Sequence, residues 1–285
     1  MLETGGSAIV LTHDMIVEGV HYLPDDPPAD VAWKLVAVNL SDLAGKGAWP
    51  IAVLLGYTLA GDPAWDEAFL AGLSDVLARF GVALAGGDTV AVPAGTPRTL
   101  GLTAIGRAPA GHTPARAGAS PGDMVFVAGT IGDAGAGLAI ARGHVHGPTA
   151  LLDAYRRPVP LLDVGRALAP HVTAMMDVSD GLLIDTGRMA EASGCRATIE
   201  LDTVPLSEAY LAWRGEARLE AATAGDDYEL LFAAPPDHAP AILSLSEEIG
   251  LPFTRIGAFA AGRGLALTED GAPTPLPERL GFEHG

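Results

Sequence analysis

The sequence predicts an α+β fold made of two domains with mixed β-sheets. Its 285 residues exceed what one typical domain of about 100–200 residues requires. Apolar segments of strand and helix length alternate, but without the regular strand–helix–strand rhythm of a doubly wound parallel sheet. A stretch rich in Pro, Gly, Ala and Ser at residues 108–122 predicts a boundary. We therefore expect an N-terminal domain at residues 1–110 and a C-terminal domain at residues 118–285.

In the first domain, apolar periodicity and the placement of Pro and Gly predict four strands and two helices. Asp30 is positioned to cap the first helix, which has Val31 and Leu35 on one face. Pro63 precedes the second helix and Gly81 follows it. The predicted strands are residues 7–12, 51–59, 82–85 and 99–107, and the predicted helices are residues 30–44 and 64–80.

The second domain is predicted to contain six strands and three helices. A glycine-rich turn at residues 129–137 leads into a helix that ends near Arg142. Ser179 or Asp180 is positioned to cap a helix that runs to about Ser193. The predicted strands are residues 123–128, 172–178, 197–201, 229–233, 253–258 and 264–267, and a further helix is predicted at residues 240–249.

The net charge and the single cysteine exclude several classes of function. A formal net charge of -18, with no compensating basic stripe, excludes nucleic acid and anionic membrane surfaces as partners. The apolar runs are shorter than the roughly 20 residues that a membrane-spanning helix needs, and we expect no signal peptide. Cys195 is the single cysteine, which excludes an intrachain disulfide and a multi-cysteine metal site. A cytoplasmic location is therefore expected.

Aspartates recur at the ends of predicted strands or on an apolar helix, in five short segments. One such aspartate is typical of a turn or a helix cap. Five such segments together predict that their aspartates converge on one site. Carboxylates packed at one site repel one another unless a cation lies among them. Magnesium prefers oxygen ligands, and in phosphoryl transfer metal-bound carboxylates hold the ions that neutralise phosphates. The segments are Thr12-His13-Asp14, Asn39-Leu40-Ser41-Asp42, Gly86-Gly87-Asp88-Thr89, Asp177-Val178-Ser179-Asp180-Gly181 and Gly225-Asp226-Asp227-Tyr228-Glu229.

Asp42 and the glycine-rich segments each have an alternative explanation. Asp42 and Asn39 share one face of an apolar helix, which favours a functional role over an exposed polar stripe. Gly86 and Gly87 allow a close approach of the backbone to a ligand, or they form a tight turn. Residues 129–137 are positioned to cradle phosphate at a helix start, although they lack the Gly-Lys-Ser/Thr ending of a Walker loop.

Spacing alone assigns no role to His21 or Arg116. Each is a candidate phosphate or substrate contact, yet an ordinary surface position explains each more simply. The sequence contains no Ser-His-Asp order and no HExxH helix, so it gives little support to a nucleophilic hydrolase or a zinc protease.

Six segments resemble the thiamine-monophosphate kinases of the PurM-like superfamily, in that family's order and across nearly the whole chain. They are THDMIVEGVHY (12–22), VAVNLSDLAGKGAWP (36–50), GGDTV (86–90), ARAGASPGD (115–123), DVSDGLLID (177–185) and AGDDYEL (224–230). The resemblance implies a two-domain PurM-like fold, with a C-terminal α/β domain and a homodimer joined through strands of the N-terminal domain. It also implies direct, in-line phosphoryl transfer from ATP to thiamine monophosphate, with several magnesium ions and without a phosphoenzyme.

The resemblance also implies roles for individual residues. The implied metal ligands are Thr12, Asp14, Asp42, Asp88, Asp177 and Asp180. The implied ATP contacts are Gly87, Asp88, Arg116 and Ser179. His21 and Asp226 would contact the thiamine phosphate, and Phe282 would pack on the thiamine ring. Asp42 and Asp180 would be the two catalytic residues.

Three features depart from the family pattern. The family carries a Gly-Asp-Asp-Ala segment ahead of its first strand, whereas residues 1–11 contain no aspartate. Either the chain starts too late, or this protein lacks one metal ligand. His13 stands where the family has Ser or Thr, and Asp226 replaces a Glu.

Two alternative functions stay open. One is a non-catalytic nucleotide-binding homologue, which the missing upstream segment favours. The other is another PurM-like ATP-dependent enzyme, such as aminoimidazole ribonucleotide synthetase. Selenophosphate synthetase would need a reactive cysteine near the N-terminus, and the hydrogenase-maturation carbamoyl dehydratase would need a C-terminal cysteine. Cys195 satisfies neither requirement.

Overall fold

The computed structural model describes residues 8–93, 95–143 and 145–283. Two mixed β-sheets with packed helices make up the fold, so the predicted α+β class is confirmed. The strands are β1 (Ile9–Val17), β2 (Trp49–Leu59), β3 (Ala83–Ala91), β4 (Thr99–Arg107), β5 (Met124–Ala128), β6 (Ala174–Asp177), β7 (Arg196–Glu200), β8 (Leu230–Ala234), β9 (Phe253–Ala260), β10 (Gly264–Glu269) and β11 (Ala272–Thr274). The helices are α1 (Pro28–Ala44), α2 (Pro63–Phe80), α3 (Asp133–Ala141), α4 (Thr149–Arg156), α5 (Leu162–Leu168), α6 (Leu182–Ser193), α7 (Glu208–Arg214), α8 (Arg218–Thr223) and α9 (Ala239–Ile249).

The first sheet has the strand order β1-β4-β2-β3. β4 is antiparallel to β1 and β2, whereas β2 and β3 are parallel. α1 covers one face, and α2 packs against α1. Successive side chains of a strand point to opposite faces. Thr12 and Asp14 on β1 therefore face α1, whereas Leu11 and His13 face outward and are exposed.

The second sheet has the strand order β11-β10-β7-β9-β5-β8-β6, with β6 at one edge. β7 and β10 are parallel, and the other pairs are antiparallel. The rings of Phe126 and Phe232 stack with their centroids 5.3 Å apart. The strands of the first sheet precede the boundary stretch, and those of the second sheet follow it. The exact division at residues 1–110 and 118–285 stays a prediction.

α1 joins the two halves of the molecule. It contacts β1 and β4 of the first sheet, and also β6 and α5. Leu35, Leu40 and Leu43 are fully buried, as expected for a helix enclosed on nearly all sides. Asn39 is fully buried as well. The polar positions of α1 are therefore not the exposed stripe of an amphipathic helix, and they face a polar interior.

Two strands are longer than predicted, and two aspartates therefore lie within a strand and not after it. β1 continues to Val17, so Asp14 lies inside the strand and not after it. β3 runs through Gly86–Thr89, so these glycines form no tight turn. The cause in both cases is pairing with strands distant in sequence, β4 for β1 and β2 for β3. Residues 1–7, which include the first residue of the strand predicted at 7–12, lie outside the described residues.

Two predicted helix caps are wrong. α1 begins at Pro28 after Pro27, because proline fixes a helical φ and needs no hydrogen-bond partner at this position. Asp30 lies inside the first turn and accepts a hydrogen bond from Arg157. α6 begins after Gly181, and the buried carboxylate of Asp185 accepts the N–H groups of Ser179 and Asp180.

Four short helices and one strand have no counterpart in the prediction: α4, α5, α7, α8 and β11. Helices of six to eight residues are marginal in isolation and form because tertiary packing stabilises them. Within the described ranges, every helix is too short or too polar to cross a lipid bilayer.

Candidate active site

A cavity of about 630 Å³ lies between β1 and α1 on one side and the loops of the second sheet on the other. Its wall combines carboxylates with apolar side chains such as Ile16 and Val38. The predicted site residues that line it are Asp14, His21, Asp42, Asp177, Ser179, Asp180, Asp226 and Phe282. Packing thus brings together four of the five aspartate segments, which lie far apart in the sequence.

Asp14 and Asp42 face each other across the junction between β1 and α1. Thr12 Oγ1 donates a hydrogen bond to Asp42 Oδ2. The Asp14 N–H donates to Asn39 Oδ1 at 2.9 Å. Burial raises the pKa of Asp14 to about 7, with further contributions from the nearby carboxylates of Asp42 and Asp180. Asp14 therefore holds its proton more tightly than an ordinary aspartate, and a cation bound beside it would favour its charged form.

Asp177 is a second buried carboxylate, at the end of β6. Burial raises its pKa to about 8, and the charge of Asp42 adds to the effect. Ser41 on α1 opposes the shift through a hydrogen bond to the carboxylate. Asp42 therefore acts on both Asp14 and Asp177, which places it at the electrostatic centre of the cluster.

The loop after β6 holds Asp180 in a fixed position. Arg188 donates to Asp180 Oδ2 at 2.5 Å and to Asp185 Oδ1 at 2.8 Å. Asp185 also accepts the N–H groups of Ser179 and Asp180, each at 3.0 Å. The side chain of Asp180 thus projects to the cavity from a loop that a buried carboxylate anchors.

Asp226 enters the cavity on a strained segment. Asp226 and Tyr228 adopt positive φ angles of 72° and 53°, which non-glycine residues rarely adopt and which cluster at functional sites. Lys34 lies 2.7 Å from Asp226 Oδ2 and is 2% exposed. Its Nζ also lies 4.1 Å from the centre of the Tyr155 ring. The negative charge of Asp226 is therefore balanced by an ion pair with Lys34, whereas Asp14 and Asp42 face each other.

The glycine-rich segment 129–137 reaches the cavity, with Ala134 and Gly135 in the wall. The N–H groups of Gly132 and Ala134 donate to the carboxylate of Asp227, at 2.9 and 3.3 Å. Asp227 thus occupies donors at the start of α3 that a phosphate would have used. This segment is better explained as part of the wall than as a phosphate cradle.

Gly87, Asp88 and Arg116 are predicted site residues that lie away from the cavity lining. Asp88 is exposed on β3, where its carboxylate accepts the N–H of Thr89 at 2.9 Å. Gly87 approaches the backbone of β2 so closely that a Cβ would lie 2.0 Å from Leu55 O. The close approach of this glycine is thus to a neighbouring strand. Arg116 follows Ala115, whose carbonyl accepts the N–H of Met175 on the edge strand β6.

Four residues of the site were not among the predicted ligands: Lys34, Arg142, Asp185 and Arg188. Arg142 lines the cavity from the end of α3. The sequence could have indicated that Lys34 belongs to the site, because the chain has two lysines and this one lies on an apolar helix. Asp185 and Arg188 lie three residues apart on α6, but their contacts with the loop at Ser179 and Asp180 are evident only in the folded structure.

The carboxylates suit magnesium ions that are bound together with phosphate. Within the described part of the chain, no group of three His, Cys, Asp or Glu side chains lies close enough to chelate one ion. Magnesium usually takes one or two carboxylates and completes its shell with phosphate oxygens and water. The pKa values of Asp14 and Asp177, which burial raises first and the neighbouring Asp42 carboxylate raises further, are the other feature expected of such a site.

The chain is similar to known proteins over nearly its whole length. The profile of the AIR synthase related protein N-terminal domain matches residues 1–108, and that of the C-terminal domain matches residues 120–270. A thiamine-monophosphate kinase of Caulobacter vibrioides is 40% identical over 98% of this chain and 81% of its own. The crystal structure of the enzyme from Stenotrophomonas maltophilia K279a has a TM-score of 0.85 at 36% identity, covering 95% of this chain and 87% of its own. A structure of AaThiL complexed with AMPPCP and TMP has a TM-score of 0.84 at 28% identity, covering 99% and 89%.

Proposed function

Because the chain belongs to the thiamine-monophosphate kinase family, as its motifs predict, we propose that it transfers a phosphoryl group from ATP to thiamine monophosphate. The products are thiamine diphosphate and ADP. The observation that carries this function is the convergence of Asp14, Asp42, Asp177 and Asp180 on one cavity. The structure of AaThiL with AMPPCP and TMP supports ATP and thiamine monophosphate as the two ligands.

Magnesium is the proposed metal. Asp14, Asp42, Asp177 and Asp180 would hold it, with the hydroxyl of Thr12 beside them. Bound there, magnesium would neutralise the charge of the transferring phosphoryl group. The side chains of the protein keep the carboxylates in place, because Arg188 fixes Asp180 and Asn39 fixes the backbone of Asp14.

His21, Asp226 and Phe282 are the proposed contacts for thiamine monophosphate. All three line the same cavity, and Phe282 is 43% exposed. An aromatic ring suits the cationic aromatic rings of thiamine. Lys34 lowers the negative charge at Asp226, which favours the approach of a phosphorylated acceptor. A cytoplasmic location stays a prediction.

The test is an assay of the purified protein with ATP, magnesium and thiamine monophosphate. We expect thiamine diphosphate and ADP in equal amounts, and neither product when thiamine monophosphate is omitted. ATP binding without thiamine diphosphate would favour the non-catalytic homologue. Turnover with the substrate of aminoimidazole ribonucleotide synthetase, in place of thiamine monophosphate, would favour that enzyme.

We also propose a homodimer in which the outward faces of two first sheets pack together. Leu11, Met15 and Leu54 are 65%, 50% and 40% exposed, and β1 and β2 present them on the face that α1 leaves uncovered. Large apolar side chains exposed on one sheet face are typical of an interaction surface. A second copy of the chain would bury it in an isologous contact.

This dimer would explain the position of Asp88. Asp88 pairs in register with Gly56 and so shares the outward face with Leu54, whereas the Asp14 side chain faces α1. β3 and β1 are opposite edges of the sheet, separated by two strands, which amounts to roughly 14 Å. We propose that Gly87 and Asp88 serve the cavity of the partner subunit.

Mixed dimers of two inactive variants test this arrangement. Asp42→Asn and Asp88→Asn homodimers should each be nearly inactive. Co-expression gives about half mixed dimers, each with one intact site of two, so activity should recover to about a quarter of the parent's. Mixing Asp42→Asn with Asp180→Asn is the matched control and should recover none, because both residues serve the same cavity. Equal absence of recovery in both mixtures, or a monomer by light scattering, would contradict the proposal.

A further inference from the structure

One face of α1 connects Asp42 to the segment that carries Asp226. Lys34, Val38 and Asp42 recur at intervals of four residues, so they lie on the same side of the helix. Val38 and Asp42 line the cavity, and Lys34 pairs with Asp226, which lines the cavity as well. At about 1.5 Å of rise per residue, Lys34 and Asp42 lie about 12 Å apart along the helix axis. One rigid helix thus contacts two separate parts of the cavity wall.

The segment at residues 225–228 is strained, and backbone hydrogen bonds hold it. Asp226 and Tyr228 have φ angles of 72° and 53°. Their N–H groups donate to Ser179 O and Val178 O, each at 2.7 Å. Strained backbone of this kind persists only where its surroundings over-determine it. The hydrogen bonds fix the path of the main chain along the loop after β6, but they leave the direction of the Asp226 side chain to other contacts.

Two side chains hold the Asp226 carboxylate, one at each oxygen. Lys34 Nζ donates to Oδ2 at 2.7 Å, and the hydroxyl of Tyr228 donates to Oδ1 at 3.2 Å. The side chain of Lys34 is 3% exposed, whereas that of Asp226 is 29% exposed. An ammonium group removed from water is unfavourable unless a counter-charge lies next to it. Lys34 therefore holds Asp226 more firmly than a lysine in a solvent-exposed pair would.

A buried network fixes Lys34 in turn. The Lys34 ammonium lies 4.1 Å from the centre of the Tyr155 ring, and the face of an aromatic ring attracts a cation. The Tyr155 hydroxyl donates to Asp26 Oδ2 at 2.8 Å, and Arg156 Nε donates to Asp26 Oδ1 at 2.9 Å. Tyr155 and Asp26 are both buried. The position of Lys34 is thus set by two helices, its own α1 and the α4 helix that carries Tyr155.

We propose that Lys34 is a positioning residue for the phosphoryl acceptor, because its ion pair holds Asp226 at a fixed distance from Asp42. The acceptor contact at Asp226 rests on the proposed function. Without the ammonium group, the Asp226 carboxylate loses its partner at Oδ2 and is free to rotate toward solvent. Binding of the acceptor should then weaken, whereas Asp42 keeps its hydrogen bond from Thr12. The contribution of Lys34 to affinity is therefore specific to the acceptor.

Steady-state kinetics of Lys34→Met, with thiamine monophosphate and ATP varied separately, test this role. Methionine keeps an unbranched stem and loses the charge. The KM for thiamine monophosphate should rise about tenfold, the loss expected for one charge-assisted hydrogen bond, while the KM for ATP changes by less than about twofold. Lys34→Gln, a second neutral variant, should show the same difference, and Lys34→Arg, which keeps the charge, should restore most of the affinity. Arg255→Met removes a cation from an exposed pair with Glu200 and should change neither KM.

A double-mutant cycle shows whether Lys34 acts through Asp226. Asp226→Ala should raise the KM for thiamine monophosphate at least about tenfold. Adding Lys34→Met to Asp226→Ala should raise it by less than about twofold more, whereas independent effects would multiply to about a hundredfold. Asp226→Ala alone leaves a buried ammonium group without its partner, so the added Lys34→Met substitution should raise the melting temperature.

An unchanged KM for thiamine monophosphate in both neutral variants would overturn the role of Lys34. An equal rise in both KM values would also overturn it, because a general defect of the fold affects ATP and the acceptor alike. Effects of Lys34→Met and Asp226→Ala that multiply would do the same. These outcomes differ from a failure of the proposed function, in which the parent makes no thiamine diphosphate. Normal turnover by the parent, with an unaltered KM in the neutral variants, would refute the role of Lys34 alone.

Discussion

Replacing Asp42 or Asp180 by asparagine should lower kcat by at least about 10³-fold, with the fold intact. Removing one preorganised electrostatic contact to a reacting group typically costs about 10²–10³-fold, and here the lost charge also weakens metal binding. We expect the larger loss of kcat for Asp42, because its charge acts on both Asp14 and Asp177. Asparagine keeps the shape of the side chain and still accepts the hydrogen bond from Thr12.

Steady-state kinetics at several magnesium concentrations, together with thermal unfolding, measure this prediction. The metal-free Asp42→Asn variant should be at least as stable as the parent, because the substitution removes repulsion with Asp14. Lost activity with retained stability would separate a functional role from a structural one. Asp237→Asn, at an exposed position, is the matched control and should retain the parent's kcat. A near-normal kcat in both site variants would refute the proposed metal ligands.

The metal-free protein should lose stability as the pH rises from 5.5 to 8.5, and magnesium should restore it. The folded-state pKa values of Asp14 and Asp177, about 7 and about 8, lie above the ordinary value of 3.8. Between about pH 4 and pH 8 the folded protein thus binds more protons than the unfolded chain. The slope of the unfolding free energy with pH is then negative, so the contribution of these groups is full at low pH and is lost as pH rises through their folded pKa values.

Magnesium must displace the same protons, so its affinity should rise with pH. Each displaced proton changes the apparent affinity up to about tenfold per pH unit below the folded pKa. Thermal unfolding at pH 5.5, 7.0 and 8.5, with magnesium or with EDTA, measures both effects. Asp42→Asn should reduce, but not abolish, the metal-free pH dependence, because burial is the main cause of both raised pKa values and Asp42 adds to it. A metal-free melting temperature that is constant or rises over this range would contradict the prediction.

The difference between Asp226 and the pair Asp14 and Asp42 has a structural cause. Lys34 from α1 reaches Asp226 across 192 positions of sequence and neutralises it, while Asp14 and Asp42 have each other as neighbours. The part of the cavity around Asp14 and Asp42 therefore repels anions until a cation binds, whereas the part around Asp226 does not. This division matches a site for metal-bound phosphates beside a site for an acceptor.

Local sequence patterns determined most of the long elements and the identity of the family. The apolar periodicity of α2 and its Pro63 and Gly81 boundaries specify that helix without tertiary information. The six motifs identified the family before any contact was known, because each keeps residue types that phosphate and metal chemistry needs. The aspartates were likewise evident as a set, although each alone suited a turn or a cap.

The tertiary structure decided where those aspartates point. β1 is longer than its local signal because it pairs along its whole length with β4, and this places Asp14 inside the strand. Pairing with β2 places Asp88 on the outward face, away from the cavity. The Lys34 contact with Asp226 exists because packing brings α1 against a loop 192 positions away in the sequence. Local interactions define strands and helices, whereas strand register and ion pairing depend on partners distant in sequence, which no local pattern encodes.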